Sequence, residues 1–415
     1  MKDNLKKEFF WNTLGSGLAS FVSLFFMIIV TRINGTNVAG VFTLTFASAL
    51  MFYALGLYSG RTYQVTETNK KIVDDDFVKH RFITAILMVF ATFIFGLING
   101  YRGTKFLVLL LLCIAKAIEA LSDVYHGILQ KNKRLDIVGI SLFIRSILEV
   151  IIFIIVDLIT HNIIITSLSL VLTNFLVFLL IDMRYGNKYK ENKVYKIESI
   201  KEIFIFGFFT FGISFIANYL YNIPRYALDG VVDETLQAIY GIIVMPATII
   251  MVVNMFIIQP LIVTLKEIYA KREKKRFINL IIKIIGITLF IGCFALLGTY
   301  LFGVPILELV YGVELNDYLI SLLLIIVGAT FYTISSVFQN SMIIIRKTRI
   351  QFVIYIIVSI IAYIVSNCLV GEYAFDGAVY SYLIMMIILM CAYISSFIIN
   401  ISDKDLWRNK NERKN

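Results

Sequence analysis

Charge is scarce in this chain. Only 16% of its 415 residues are Asp, Glu, Lys or Arg, against about 25% in an average soluble protein. Hydrophobic residues make up 59%, and the mean hydropathy is +0.84. These values exclude an ordinary globular enzyme and a disordered chain. Cysteine is also scarce. Cys113, Cys293, Cys368 and Cys391 each lie inside an apolar run and none is paired at CxxC spacing, which argues against a zinc site or a disulfide framework. There are three histidines, no GxxxxGK[ST] phosphate loop and no HExxH metal motif. No cofactor, resident metal or ATPase is expected, so any transport must draw on an ion gradient or a partner. What is abundant is long apolar sequence, and a polytopic membrane protein is the class that fits.

About 20 apolar residues in a helix cross the hydrocarbon core. Twelve such spans can be read, at roughly 9–33, 38–58, 82–99, 106–129, 139–159, 163–182, 203–222, 237–264, 277–302, 318–345, 352–370 and 379–400. The first is preceded by Met-Lys-Asp-Asn-Leu-Lys-Lys without a small-x-small cleavage site, so it reads as a retained helix. Between it and the second lies only Asn34-Gly35-Thr36-Asn37.

Cation counts set the orientation. Of 38 Lys and Arg, 31 fall in the N-terminal tail, alternate loops and the C-terminal tail, four (Arg32, Arg102, Lys105, Arg225) in the opposite loops, and three (Lys116, Arg145, Lys283) inside spans. By the positive-inside rule both termini are cytoplasmic. The same asymmetry accounts for the net charge of +10 without nucleic acid. The expected organisation is an N-terminal six-helix bundle (1–182), a cytoplasmic linker (183–202), a C-terminal six-helix bundle (203–402) and a basic cytoplasmic tail (403–415). Six is even, so both halves enter the membrane in the same direction, the geometry of a parallel repeat.

Ionisable groups inside spans are expensive and face protein or water. The fourth span carries Lys116, Glu119, Asp123, His126 and Gln130 at spacings of 3, 4, 3 and 4, one helical face. The fifth adds Arg145 and Glu149 at i,i+4, and Asp157 near its outer end. Two readings stay open: salt bridges that hold these helices together, or a hydrated cavity lined by titratable and cationic groups. Arg61 reads as an inside anchor, and Lys283 can snorkel to the interface. Arg32 and Arg225 run against the positive-inside trend. Asn12, Ser16, Ser20 and Ser23 share a face of the first span, which suits close helix packing. Pro246 and Pro260 can kink the eighth span. The stretch from Val304 to Tyr318 is too polar to span and is expected in the interface.

Two stretches carry a family resemblance. The first is Asn12-Thr13-Leu14-Gly15 through Thr31-Arg32-Ile33-Asn34-Gly35 to Ala39-Gly40-Val41-Phe42. The second is Ile223-Pro224-Arg225-Tyr226, Asp229-Gly230 and Ala238-Ile239-Tyr240-Gly241, with Gln259-Pro260-Leu261 further on. They resemble Wzx-type polysaccharide flippases of the multidrug/oligosaccharidyl-lipid/polysaccharide exporter superfamily, whose members often have Asp-Arg where this chain has Pro224-Arg225. The resemblance implies an all-α, MATE-like membrane protein of about twelve transmembrane helices in two six-helix bundles. It also implies a flippase, not an enzyme. The substrate would be an undecaprenyl-diphosphate-linked oligosaccharide, moved across the bacterial cytoplasmic membrane for capsule, O-antigen or similar polymer assembly. On that reading Arg32, Lys116, Arg145 and Arg225 would contact the headgroup, while Glu119, Asp123 and Glu149 would couple a proton or sodium ion. A polymerase of the same pathway is a conceivable partner. The rivals are a drug or metabolite antiporter of the same superfamily, a membrane polymerase, and a non-transporting scaffold.

Overall fold

The computed structural model describes residues 2–58, 60–66, 72–191, 196–403 and 407. The described residues are almost entirely helical, with one isolated bridge between Asp229 and Val232 and no strand. We number the long helices α1 (2–34), α2 (36–57), α3 (Asp74–Ile98), α4 (Gly103–Lys131), α5 (Leu135–Thr160), α6 (Ile163–Tyr189), α7 (Ile197–Leu228), α8 (Glu234–Ala270), α9 (Lys274–Gly298), α10 (Leu319–Ile344), α11 (348–373) and α12 (375–401). Eight stretches are long and apolar enough to cross a membrane, and two of them, Lys6–Leu57 and Thr348–Ile401, are bent pairs. The other two helices, α4 and α5, hold the charged groups and have 29 and 26 residues, enough to cross about 30 Å at 1.5 Å per residue. Among the described residues the twelve expected helices are therefore present.

Both bent pairs turn at one residue. Gly35 has φ 81° and ψ 174° between α1 and α2, a conformation that glycine adopts without a Cβ penalty. Ala374 makes the corresponding break between α11 and α12 with φ 47° and ψ −116°. In α8, Pro246 and Pro260 sit within a single helical assignment of 37 residues; the side chain of Gln259 lies outside the described set. The stretch after α9 is helical too, through a π-helical turn Thr299–Gly303 into a short helix Val304–Tyr311.

The chain divides into two compact units, Met1–Asn218 and Tyr219–Asn415. The expected division lay at 183–202, and residues 203–218 of α7 group with the first unit. There Phe211 stacks on Tyr58 at 4.7 Å, and the Tyr58 hydroxyl donates to Phe204 O at 3.2 Å.

Burial follows membrane logic, with polar groups inward and large apolar groups outward. On α3, Arg81, Thr84 and Thr92 are buried, whereas Phe82, Ile86, Phe90, Phe93 and Leu97 are exposed. The first unit centres on α1 against α5, where the backbones nearly touch. A Cβ on Gly15 would meet Gly139 O at 2.2 Å, and one on Gly139 would meet Trp11 O at 2.2 Å. Ser16 and Ser20 spend their hydroxyls on carbonyls one turn back, as small packing residues do. Phe26 and Phe153 then fill the space beyond, ring centroids 4.5 Å apart.

Candidate functional site: a charged cavity in the N-terminal unit

The polar face of α4 looks into the bundle. Lys116 and Glu119 line a cavity of about 140 Å³, together with Ser23, Arg145, Ser146 and Glu149. The stripe then fans out over three neighbouring helices, because successive positions drift around the helix. Lys116 Nζ lies 2.7 Å from Glu119 Oε1 and faces the rings of Phe46 and Tyr53 at 5.6 and 5.8 Å. Asp123 turns to α3, where Arg81 Nη2 is 3.3 Å from its Oδ2. His126 turns to α6, with Nε2 2.9 Å from Asp182 Oδ1. Gln130 buries an Oε1 that has no hydrogen-bond partner.

Asp182 gathers a second layer behind the cavity. Arg145 Nη2 donates to Asp182 Oδ2 at 2.5 Å and to Ser122 Oγ at 2.6 Å, and Ser141 donates to Asp182 Oδ1 at 2.5 Å. Asp182 sits in a π-helical turn, Phe178–Met183, within α6; such turns recur at functional positions. On the cavity wall, Glu149 accepts from Asn174 Nδ2 at 2.6 Å. Near the outer end of α5, buried Asp157 accepts from Asn34 Nδ2 at 2.6 Å and Thr166 Oγ1 at 2.8 Å.

The structure thus brings four expected residues, Lys116, Glu119, Arg145 and Glu149, to one cavity, and keeps Asp123 on the same helix but paired elsewhere. Arg32 is exposed. Arg225 belongs to the second unit, where it is buried. Lys283 is exposed, as suits a snorkelling group. Besides Asp74, Asp76 and Asp136 at the helix starts, two buried charges that the spacing does not single out pair with the α4 face or with Arg145. Arg81 was counted with a cytoplasmic loop, but α3 begins at Asp74 and buries it. Asp182 was placed at the last position of a span, but α6 continues to Tyr189 and encloses it.

Two cations and two carboxylates line the cavity, but Arg145 is bound to Asp182 behind it, so with all five ionised the group carries one net negative charge. Loss of one carboxylate charge would bring that group to neutrality. Among the described residues no group of three or more His, Cys, Asp or Glu is placed to hold a metal ion.

No protein-family profile matches the chain. It is 28% identical over 336 residues to the capsular polysaccharide biosynthesis protein CapF of Staphylococcus aureus, covering 78% of this chain and 83% of that protein. Among solved structures it is similar to the lipid II flippase MurJ in an inward closed conformation, with a TM-score of 0.72 at 16% identity over 93% of this chain and 87% of the other. It is also similar to an inward-facing multidrug resistance MATE family transporter of the MOP superfamily, with a TM-score of 0.68 at 15% identity over 94% of each chain. The fold is therefore the one these MATE and MurJ structures share, and the capsular relative agrees with the resemblance to Wzx-type polysaccharide flippases.

Proposed function

We propose that this protein is a flippase that moves an undecaprenyl-diphosphate-linked oligosaccharide from the inner to the outer leaflet of the bacterial cytoplasmic membrane, for capsule or related surface polysaccharide. It is a transporter with no catalytic residues, both its termini are cytoplasmic, and an ion gradient drives it. The observation that carries the reading is the enclosed placement of ionisable groups. Lys116, Glu119, Arg145 and Glu149 wall a cavity within an otherwise apolar bundle, where charges facing acyl chains would be prohibitive. The capsular relative supports the polysaccharide substrate.

The mechanism asks little chemistry of the chain. Fixed guanidinium and ammonium groups compensate phosphate charge through charge-assisted hydrogen bonds, while the lipid tail stays in the bilayer. Arg32, Lys116, Arg145 and Arg225 are the headgroup residues of this proposal. Glu119, Asp123 and Glu149 take up or release the coupling ion. Neutralising one of them changes the cavity charge and biases the resting conformation.

The test is deletion of the gene in its host, with separate assays of surface polymer and membrane-extracted lipid-linked oligosaccharide. The proposal expects loss of polymer with accumulation of the lipid-linked precursor on the cytoplasmic side, restored by the intact gene. Normal polymer, together with raised sensitivity to cationic drugs, would establish the antiporter instead.

A further inference from the structure

A second cavity lies within the C-terminal unit. It has a volume of about 410 Å³ and is lined by α8 and α10, a size that holds a small ligand. Unlike the charged cavity of the N-terminal unit, it has no Asp, Glu, Lys or Arg in its wall. From α8 come mainly apolar side chains, among them Met251, Met255 and Ile258. From α10 come Tyr332, Thr333, Ser336 and Asn340, polar and neutral, on one helical face.

The hydrogen bonds inside α10 decide what these groups have left to offer. Thr333 Oγ1 donates to Thr330 O at 2.8 Å, and Ser336 Oγ donates to Thr333 O at 2.7 Å. Each hydroxyl has a single proton, so both are left to the cavity as acceptors. Asn340 Nδ2 donates to Ser336 O at 2.8 Å, which commits one of its two amide protons and leaves Oδ1 to accept. Tyr332 adds a hydroxyl that can do either. The wall is thus rich in neutral acceptors, poor in donors and without charge.

That pattern selects the ligand. An ionised phosphate brings only acceptors and negative charge, and no cation here would meet it. A hard metal ion would find no carboxylate. An acyl chain would cover the acceptor oxygens with hydrocarbon and satisfy none of them. Sugar hydroxyls donate and carry no charge, and the C–H faces of a sugar ring pack on tyrosine and methionine side chains, of which methionine adapts readily to irregular shapes. We propose that this cavity is a glycan subsite, which holds a neutral sugar unit of the lipid-linked oligosaccharide through Thr333, Ser336 and Asn340. The proposal rests on the flippase reading and adds to it an uncharged place for the sugar.

The experiment places the full chain in phosphatidylcholine nanodiscs and compares two probes, undecaprenyl diphosphate and the same lipid carrying the host oligosaccharide. The wild type should bind the glycosylated lipid about tenfold more tightly than the bare one. Thr333→Val with Asn340→Leu nearly keeps the side-chain volumes and removes the acceptors. The double variant should lose that preference while binding the bare lipid as the wild type does, a split that a purely structural role would not produce. Ser336→Ala, a smaller change that decides the matter if the double variant fails to fold, should cut the preference severalfold. An intact preference in the folded variants overturns the proposal. So does equal weakening of both lipids, and so does tighter binding of both, which would make the cavity a site for the lipid chain. If the wild type binds the two lipids equally, the glycan subsite is overturned and the flippase reading stands. If it binds neither, the flippase reading fails as well.

Discussion

Arg145 of α5 and Asp182 of α6 form an ion pair closed off from solvent, with the guanidinium shared by Ser122 and the carboxylate by His126 and Ser141. Removing one member of such a pair leaves an unmatched charge, which costs about 3–5 kcal/mol. Asp182→Ala should therefore lower the thermal midpoint sharply. Asp182→Asn, which keeps an acceptor for Ser141, should lower it less. Unfolding in detergent followed by intrinsic fluorescence reads both, and an Asp182→Ala protein as stable as wild type would show that the pair contributes nothing.

The contact of Gly15 with Gly139 leaves no room for a methyl group. Gly139→Ala should separate α1 from α5 and destabilise the protein by about 1–3 kcal/mol or more. The same substitution at Gly17, where an added Cβ would meet nothing outside its own helix within 4 Å, should be close to neutral. The two midpoints, measured side by side, test the packing argument.

Ala374 holds a backbone conformation with φ 47° that costs a residue bearing a Cβ roughly 1–3 kcal/mol. Ala374→Gly should raise stability, the reverse of the usual effect of glycine in a helix. A lowered midpoint would mean that the turn is not held there.

Glu149→Gln keeps an acceptor for Asn174 and loses only the charge. Folding should be preserved, while gradient-driven flipping falls by about tenfold, a change of ~1.4 kcal/mol in the barrier. Fluorescent lipid-linked oligosaccharide in proteoliposomes under an imposed pH or sodium gradient would measure it. Unchanged gradient dependence would remove Glu149 from the coupling set.

The turn after α4 and the turn after α5 should lie on opposite sides of the membrane. Cysteines at Lys133 and Asn162, in a chain freed of its native cysteines, should react with an impermeant thiol reagent from inside and outside respectively. The reverse pattern would contradict the cytoplasmic termini, and labelling of both from one side would contradict α5 as a span.

Much of the fold was legible because the membrane imposes a single rule, that backbone polar groups are satisfied inside each span. Ten of the twelve helices follow from apolar run length, α4 and α5 are apolar apart from their charged positions, and the 3-4-3-4 spacing of the α4 stripe marks its inward face. What the sequence did not reveal came from helix ends and helix irregularity. Arg81 and Asp182 lie where hydropathy falls off, so both read as edge charges although their helices continue past them. The π-helical turn that holds Asp182 has no compositional signature. Nor could one sequence show which cations find a carboxylate. Lys116 does pair with Glu119 on its own helix, but Arg145, with Glu149 at i+4, pairs with Asp182 of α6, a partner that no local spacing shows.

The π-helical turn Phe178–Met183 also makes α6 unusually forgiving of length at one place. A wide turn of this kind takes up one extra residue in the same sweep round the axis, so the helix on either side keeps the rotation it would have in a regular helix one residue shorter. Deleting one residue from 178–181 would restore regular winding with Asp182 still towards Arg145 and Asn174 still towards Glu149. In the regular turns before Asn174 the same deletion would swing the flanking side chains about 100° relative to each other, so length changes there should be far less tolerated than within the wide turn.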